Sequence, residues 1–316
     1  MRLLQLVKKV PGGLMVVPLL LGVLLNTFFP GFLNIGGFTT NLWKTGATTL
    51  IAMFLFCNGA QINVKQAGQP VFKGVLLTTV KFLVGALLGI LLNKVFGPAG
   101  ILGIAPLAVI AAVTNSNGGL YAALAGEFGD STDVGAVSVL SINDGPFLTM
   151  VAFGVSGLAN IPAIALIAAI LPIVAGCVLG NLDEDLRKFL AGGTTVVIPF
   201  FAFPLGAGLN LKQLVSAGLP GILLGVICTV LTGLGGYLVM KLIKSKHPAA
   251  GAAIGTTAGN AVGTPAALAA ADPSLAGIEA AATVQVAAAI IVTVILCPIL
   301  VSWLDRLEKN RAPATA

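Results

Sequence analysis

The segment FLFCNGAQINVKQ, residues 54–66, returns later in the chain as FAFPLGAGLNLKQ, residues 201–213. Seven of the thirteen positions are identical. The two segments are 147 residues apart, and the same offset aligns GVLL at 74–77 with GILL at 221–224 without a gap. A chain that keeps register with itself over this length is built from two copies of one structural unit. In membrane transporters, such repeats enclose the binding site between them.

The composition is that of a membrane protein. The chain is 57% hydrophobic and 9% charged, with a mean hydropathy of +1.03, whereas soluble domains carry roughly 25% charged residues. A membrane-crossing helix needs about 20 apolar residues. We predict an all-α polytopic membrane protein with ten spans, at 14–29, 42–60, 71–96, 100–124, 133–158, 162–180, 189–208, 218–243, 249–270 and 277–303.

The span count predicts that the two repeats, residues 1–158 and 159–316, are inverted. Five spans per repeat return the chain to the opposite face, so the second copy enters the membrane from the other side. Lys and Arg accumulate near the cytoplasmic ends of spans. With a cytoplasmic N-terminus, thirteen basic residues fall inside and three, Lys44, Lys94 and Lys212, fall outside. The net charge of +6 is therefore a topology signal and does not indicate nucleic-acid binding.

The sequence offers no metal or cofactor site. The four cysteines are scattered through different apolar segments, and the single histidine, His247, lies in the basic loop KSKHP. We expect the cysteines to be small buried apolar residues. We expect no cofactor apart from a coupling ion.

Two spans contain polar, helix-breaking residues in their middle. Residues 114–119 of the fourth span read TNSNGG, and residues 255–265 of the ninth read GTTAGNAVGTP. Gly, Asn and Pro weaken a helix, and unwound backbone at membrane depth survives only where it is buried in protein or lines a wet cavity. Close helix packing would explain the glycines but not the asparagines. The candidate binding residues are Asn115, Ser116, Asn117, Gly118, Gly119, Asn260, Gly263 and Thr264.

A second group of polar residues lies deep in spans three and five. Lys81 is near the middle of span three, and Asn143 and Asp144 are near the middle of span five. A charge in the bilayer needs a partner, so we predict that Lys81 pairs with Asp144. The pair has two possible roles: a structural link between the two spans, or a site where Asp144 loads a proton and Lys81 senses the substrate.

The motifs occur in an order that resembles one bacterial family. KKVPGGLMVVPLLLGVLLN, FLFCNGAQI, TNSNGGLYAAL, GPFLTM, GNLDEDLRKFL and IPFFAFPLGAGLNL together resemble the 2-keto-3-deoxygluconate permeases, from Pro11 to about Ser302. The resemblance implies proton-coupled uptake of this sugar acid across the bacterial inner membrane. It also implies the fold of the bile acid sodium symporters, with spans 1, 2, 6 and 7 forming a panel and spans 3, 4, 5, 8, 9 and 10 forming a core. In that fold the broken spans four and nine cross in the core, and the repeated segments face the core across a cleft.

Other functions remain open at this point. A passive channel would be expected to have a continuous polar lining along a span, and an intramembrane enzyme would need a nucleophile with a base or paired aspartates; neither pattern is visible. A sodium-coupled symporter of another small organic anion is the main alternative, because the carbonyls of broken helices can bind that ion. We expect a monomer or a homodimer in the lipid bilayer.

Overall fold

The computed structural model describes residues 3–9, 13–65, 68–143 and 145–311, and these residues form helices and turns. The α-helices are α1 (Leu3–Lys9), α2 (Gly13–Phe28), α3 (Gly37–Trp43), α4 (Ala47–Gly59), α5 (Gln69–Phe96), α6 (Pro106–Thr114), α7 (Gly118–Phe128), α8 (Ser131–Gly135), α9 (Val137–Leu140), α10 (Phe147–Ser156), α11 (Ala163–Leu182), α12 (Glu184–Ala207), α13 (Leu211–Leu242), α14 (Thr264–Ala271) and α15 (Ala276–Arg311). Short 3-10 segments lie at Pro30–Asn34, Ser141–Asn143, Pro248–Ile254, Gly259–Gly263 and Pro273–Leu275.

Apolar helices of membrane-crossing length dominate the described residues. Five are long and apolar enough to cross a bilayer: α5, α11, α12, the part of α13 from Gly218, and α15. Two bent pairs, α6 with α7 at 46° and Ser131–Asn143 with α10 at 57°, bring the number of candidate crossing segments to as many as seven if each pair is counted as one span. Helices α2 and α4 are apolar but shorter. The chain is therefore an all-helical, multi-pass membrane protein, as predicted.

The helices pack in two groups. Helices α2, α4, α11 and α12 pack mainly against one another, while α5 to α10 pack with α13 to α15. Near the middle of the molecule, the two groups meet where α4 and α12 contact Gly259–Gly263 and where α4 contacts Ser141–Asn143; α10 also contacts α11, and α2 contacts α13. A boundary of this kind, between two packed bodies, is where membrane transporters place their substrate.

Equivalent glycines of the repeated segments make equivalent contacts in the first group. A Cβ on Gly206 of α12 would lie 1.9 Å from the Leu19 carbonyl oxygen of α2. A Cβ on Gly59 of α4 would lie 2.2 Å from the Ile173 carbonyl oxygen of α11. Only a residue without a side chain allows backbones to approach so closely. The repeated sequence thus produces the same helix crossing twice.

A pair of asparagines repeats this pattern at the helix ends. Nδ2 of Asn26 in α2 donates to the Leu209 carbonyl oxygen at 2.8 Å, and Nδ2 of Asn181 in α11 donates to the Ile62 carbonyl oxygen at 2.7 Å. Ile62 and Leu209 occupy the same place in the two repeated segments. Each asparagine therefore satisfies a carbonyl that its partner helix leaves free at its end.

Acidic residues fix the turn between α7 and α8. Asp130 caps α8 by accepting from the backbone N–H groups of Thr132 and Asp133. Hydrogen bonding from the Thr132 hydroxyl lowers the pKa of Asp130 to about 2. Nζ of Lys73 lies 2.5 Å from Oδ1 of Asp133, and both side chains are buried. This ion pair attaches the turn to the start of α5.

Candidate functional site

The fourth predicted span unwinds between α6 and α7. Asn115 and Asn117 have extended backbone, with ψ angles of 143° and 97°. The Asn117 side chain caps α7 by accepting a 3.0 Å hydrogen bond from the Leu120 N–H. This arrangement leaves Gly118 and Gly119 in the first turn of α7, where helical N–H groups have no intrahelical partner. The positive end of a helix therefore lies at the break.

The ninth predicted span forms two 3-10 segments followed by α14. Its first segment ends at Ile254, and the second runs from Gly259 to Gly263. Pro265 lies in the first turn of α14, where a missing N–H costs no hydrogen bond. Glycine and proline thus set where regular α-helix begins, and most of this span lacks it.

The two breaks are hydrogen-bonded to each other. The Asn117 N–H donates to Oγ1 of Thr256 at 3.0 Å, and Oγ1 of Thr257 donates to the Ala112 carbonyl oxygen at 3.1 Å. The Thr257 N–H donates to Oγ1 of Thr293 in α15 at 3.0 Å. Polar backbone that bilayer lipid could not satisfy is therefore satisfied by threonine side chains.

A cavity of about 460 Å³ lies beside the breaks, between the two helix groups. Its volume falls within the roughly 300–1,000 Å³ typical of small-molecule sites. Four of the predicted binding residues line it: Asn117, Gly118, Gly119 and Asn260. Asn260 is 2% exposed, and neither Oδ1 nor Nδ2 has a hydrogen-bond partner in the described structure. Its carboxamide is thus a buried polar group available to a ligand.

The other four predicted binding residues do not line the cavity. Asn115 is buried, and its Nδ2 donates to the Ala111 carbonyl oxygen at 2.7 Å. Oγ of Ser116 accepts a 3.3 Å hydrogen bond from Asn143. A Cβ on Gly263 would lie 2.4 Å from Cδ1 of Ile51, so this glycine faces α4. Thr264 is buried, and its hydroxyl has no partner among the described residues.

The sequence prediction did not include several polar residues that line the cavity. They are Asn58, Gln61, Ser138, Ser141, Thr194 and Thr195. Asn58 and Gln61 belong to the repeated segment, which the family resemblance predicts to face the core across the cleft. The resemblance therefore indicates that these two side chains could line the cavity. Thr194 and Thr195 follow Gly192 and Gly193 inside α12, but a sequence does not show which face of a helix meets a cavity.

Lys81 and Asn143 are brought to different parts of the second helix group. Lys81 is fully buried, and its Nζ lies 2.5 Å from the Thr256 carbonyl oxygen, 3.2 Å from Oγ1 of Thr232 and 3.5 Å from Sγ of Cys228. Asn143 joins span five to the span-four break through Ser116. Asp144 lies outside the described residues, so its pairing with Lys81 stays a prediction.

The lining of the cavity combines the N-terminus of a helix with carboxamide and hydroxyl groups. None of the described residues that line it is charged. Negative charge would therefore be held by the N-terminus of α7, where free N–H groups and the helix dipole act together. Carboxamide and hydroxyl side chains around it can bond to several hydroxyl groups.

Comparison with known proteins identifies relatives over the whole chain. Residues 4–310 match the family model described as 2-keto-3-deoxygluconate permease. The chain is 52% identical to 2-keto-3-deoxygluconate permease 1 of Salmonella typhimurium over 312 residues, which cover 99% of this chain and 98% of the relative. It is 40% identical to the 2-keto-3-deoxygluconate permease of Bacillus subtilis over 320 residues, covering 100% and 97%. The corresponding permease of Escherichia coli K12 is 38% identical over 317 residues, covering 99% and 97%.

Proposed function

The chain belongs to the 2-keto-3-deoxygluconate permease family, and from this premise we propose that it imports 2-keto-3-deoxygluconate by proton symport. A permease moves its substrate across a membrane and is not an enzyme. The observation that carries the proposal is the cavity beside the two breaks, which holds the N-terminus of α7 and the unpartnered Asn260 carboxamide.

The chemistry of the substrate fits this lining. A sugar acid presents one carboxylate, which suits the N–H groups of Gly118 and Gly119 at the start of α7. Its ketone and hydroxyls suit the carboxamides of Asn117 and Asn260 and the hydroxyls of Thr194 and Thr195. Such a site discriminates by hydrogen bonds, because any analogue that leaves a buried polar group unpaired binds more weakly.

We assign ten crossings in two inverted repeats, with both termini in the cytoplasm and the protein in the bacterial inner membrane. The seven apolar crossings, the shorter helices α2 and α4, and residues 248–271 supply the ten. The excess of basic residues on one side supports the orientation. The duplicated glycine and asparagine contacts support two copies of one unit, with α2, α4, α11 and α12 as the panel and the remaining spans as the core.

We propose that transport proceeds by alternating access at the boundary between panel and core. The cavity is lined by Gly13 at the start of α2 and by Gln61 just after α4, both at cytoplasmic ends in this orientation. Nearer the outer face, Gly263 faces Ile51, and a Cβ on Gly145 would lie 2.8 Å from Cδ2 of Leu55. These contacts support our assignment of the structure to an inward-facing state. Movement of the core against the panel would open the outer contacts and close the inner ones.

Protons are the proposed coupling ion, with Asp144, Asn143 and Lys81 as candidates for the coupling machinery. A sodium-coupled symporter of another organic anion is the second candidate. The observation that favours it is a pair of buried carboxamide oxygens, Oδ1 of Asn115 and Oδ1 of Asn143, which have no hydrogen-bond partner in the described structure. Uncharged oxygens of this kind are ligands that hard cations accept.

Uptake into proteoliposomes distinguishes the candidates. Purified protein is reconstituted, and entry of labelled 2-keto-3-deoxygluconate is followed with a proton gradient and a sodium gradient imposed separately. We expect accumulation with the proton gradient alone, abolished by an uncoupler. Accumulation that requires sodium would favour the second candidate, and no uptake under either gradient would contradict this substrate.

A further inference from the structure

Lys81 is a buried lysine whose hydrogen-bond partners in the described structure are all uncharged. It is 0% exposed and is absent from the lining of the cavity. Its three hydrogen-bond partners are the Thr256 carbonyl, the Thr232 hydroxyl and the Cys228 thiol. Two belong to α13 and one belongs to the span-nine break, so the ammonium joins three separate segments of the core.

The Thr256 carbonyl is free to accept because the helix is interrupted there. The 3-10 segment Pro248–Ile254 ends just before it, and Gly255 follows with a non-helical ψ of 32°. The C-terminal end of a helical segment carries partial negative charge. In other transporters, unwound carbonyls and half-helix C-terminal ends at membrane depth coordinate a free cation. Here the amino group of Lys81 lies at such an unwound carbonyl, that of Thr256.

The repeat provides an internal comparison for this position. Cys228 is the residue 147 positions after Lys81 and so occupies the same place in the second copy. A Cβ on Gly89 would lie 2.2 Å from Cγ1 of Ile110, and a Cβ on its counterpart Gly236 would lie 2.8 Å from Cγ1 of Ile254. Two residues beyond Ile110 is Ala112, and two residues beyond Ile254 is Thr256. The Ala112 and Thr256 carbonyls are therefore equivalent.

The two equivalent carbonyls receive different partners. Sγ of Cys228 lies 3.8 Å from both carbonyl oxygens. The nearest partner of the Ala112 carbonyl is Oγ1 of Thr257 at 3.1 Å, whereas that of the Thr256 carbonyl is Nζ of Lys81 at 2.5 Å. The carbonyl at the span-four break is thus bound by neutral hydroxyl and thiol groups, while the carbonyl at the span-nine break also receives the amino group of a lysine. The Lys81 side chain therefore lies where the two breaks meet, at the carbonyl of span nine.

We propose that Lys81 is a tethered cation that takes the place of a free monovalent cation at the span-nine break. The protein then needs no sodium at this position in order to hold the break together. What this proposal implies for the choice of coupling ion rests on the proposed transport function. The claim about the position itself concerns the folded protein without substrate, so it is tested separately from transport.

The test compares thermal unfolding of purified Lys81→Gln and wild type in sodium, lithium, potassium and choline chloride at equal ionic strength. We expect Lys81→Gln to unfold at least about 5 °C lower in choline, since removing one partner from a buried network around a charge is strongly destabilising. We expect one of the small cations to restore its unfolding temperature with saturation. The control is Lys94→Gln, which changes an exposed lysine on the same helix and should alter nothing.

Three results would overturn the proposal. The unfolding temperature of Lys81→Gln could equal that of wild type in choline, or it could stay below that of wild type in every salt. The double variant Lys81→Gln/Asp144→Asn could recover stability without any added cation, which would assign Lys81 to an ion pair instead. Failure to transport 2-keto-3-deoxygluconate would leave all these measurements valid.

Discussion

The ring of Phe54 packs edge-on against the ring of Phe201, with centroids 5.6 Å apart. These residues occupy the same place in the two copies of the repeated segment, so each touches its own counterpart. Lys81 and Cys228 do the same in the other helix group. In a two-fold arrangement only residues near the axis can meet their counterparts. The two contacts support an axis that passes through both the panel and the core, beside the cavity.

Replacing Asn260 should weaken transport without unfolding the protein. Its carboxamide has no hydrogen-bond partner in the described structure, so Asn260→Ala removes no bond that holds the fold. One hydrogen bond to a ligand contributes about 1–2 kcal/mol, so we expect initial uptake at low substrate to fall by roughly 10-fold. Asn160→Ala, in an exposed loop, is the matched control. Unchanged uptake by Asn260→Ala would remove this residue from the site.

A side chain at Gly119 should block the start of α7. A Cβ there would meet only Oδ1 of Asn117, at 3.6 Å, so the fold has room for it. We expect Gly119→Val to lower uptake at least about 10-fold, because a substrate carboxylate could no longer approach the N–H groups at the helix end. The control is Gly126→Val on the same helix, where a Cβ would meet Val134 at 3.9 Å. Equal uptake by the two variants would argue against anion binding at this helix end.

Enlarging Gly263 should push the outer contact between panel and core apart. The added methyl of Gly263→Ala would lie 2.4 Å from Cδ1 of Ile51, and Ile51→Ala should relieve that overlap. We expect Gly263→Ala to shift the protein toward the outward-facing state. Alkylation of a cysteine introduced by Gln61→Cys by a reagent on the cytoplasmic side should then slow several-fold, and the double variant should restore the rate. Faster or unchanged alkylation in Gly263→Ala would contradict the inward-facing assignment.

Equivalent glycines should be equally intolerant of substitution. Gly206→Ala and Gly59→Ala each introduce a methyl within about 2 Å of a carbonyl oxygen on a neighbouring helix. Overpacking of this kind costs roughly 1–3 kcal/mol or more, so both variants should unfold several degrees below wild type. Gly192→Ala on α12, with nothing within 4 Å, should not. A large difference between the first two would show that the repeated segments pack unequally.

Asp144 is expected to carry the proton that is coupled to substrate. We predict that Asp144→Asn abolishes uptake driven by a proton gradient but leaves some counterflow exchange, because exchange needs no net proton movement. The measurement is paired uptake and counterflow in the same proteoliposomes. Normal proton-driven uptake by this variant would exclude Asp144 as the coupling group.

Much of the architecture could be predicted from the sequence because its signals are local. The sequence alone predicts membrane spans from apolar length, orientation from the basic residues at span ends, and duplication from the repeated segment. The breaks are readable for the same reason, since Asn115, Asn117 and Gly118 interrupt an apolar stretch. The sequence does not show which side chains of a break line the cavity, because neighbouring residues can point to opposite sides. Asn117 lines the cavity, whereas Asn115 donates a hydrogen bond to a carbonyl of its own helix.

The partners of Lys81 show a second limit of sequence reasoning. The expectation of a carboxylate partner comes from residue types. The nearest of its three partners among the described residues is the backbone carbonyl of Thr256, which any residue type could provide. That carbonyl becomes available only because the chain is interrupted next to Gly255. Contacts made by main-chain atoms at a break leave no mark in the sequence.

A crystal structure with bound 2-keto-3-deoxygluconate tests the central claim most directly. We predict the substrate in the cavity between the two helix groups, with its carboxylate within about 3 Å of a backbone N–H at Gly118 or Gly119 and a hydroxyl bonded to Asn260. Substrate bound elsewhere, or a carboxylate held by a charged side chain outside this cavity, would contradict the account.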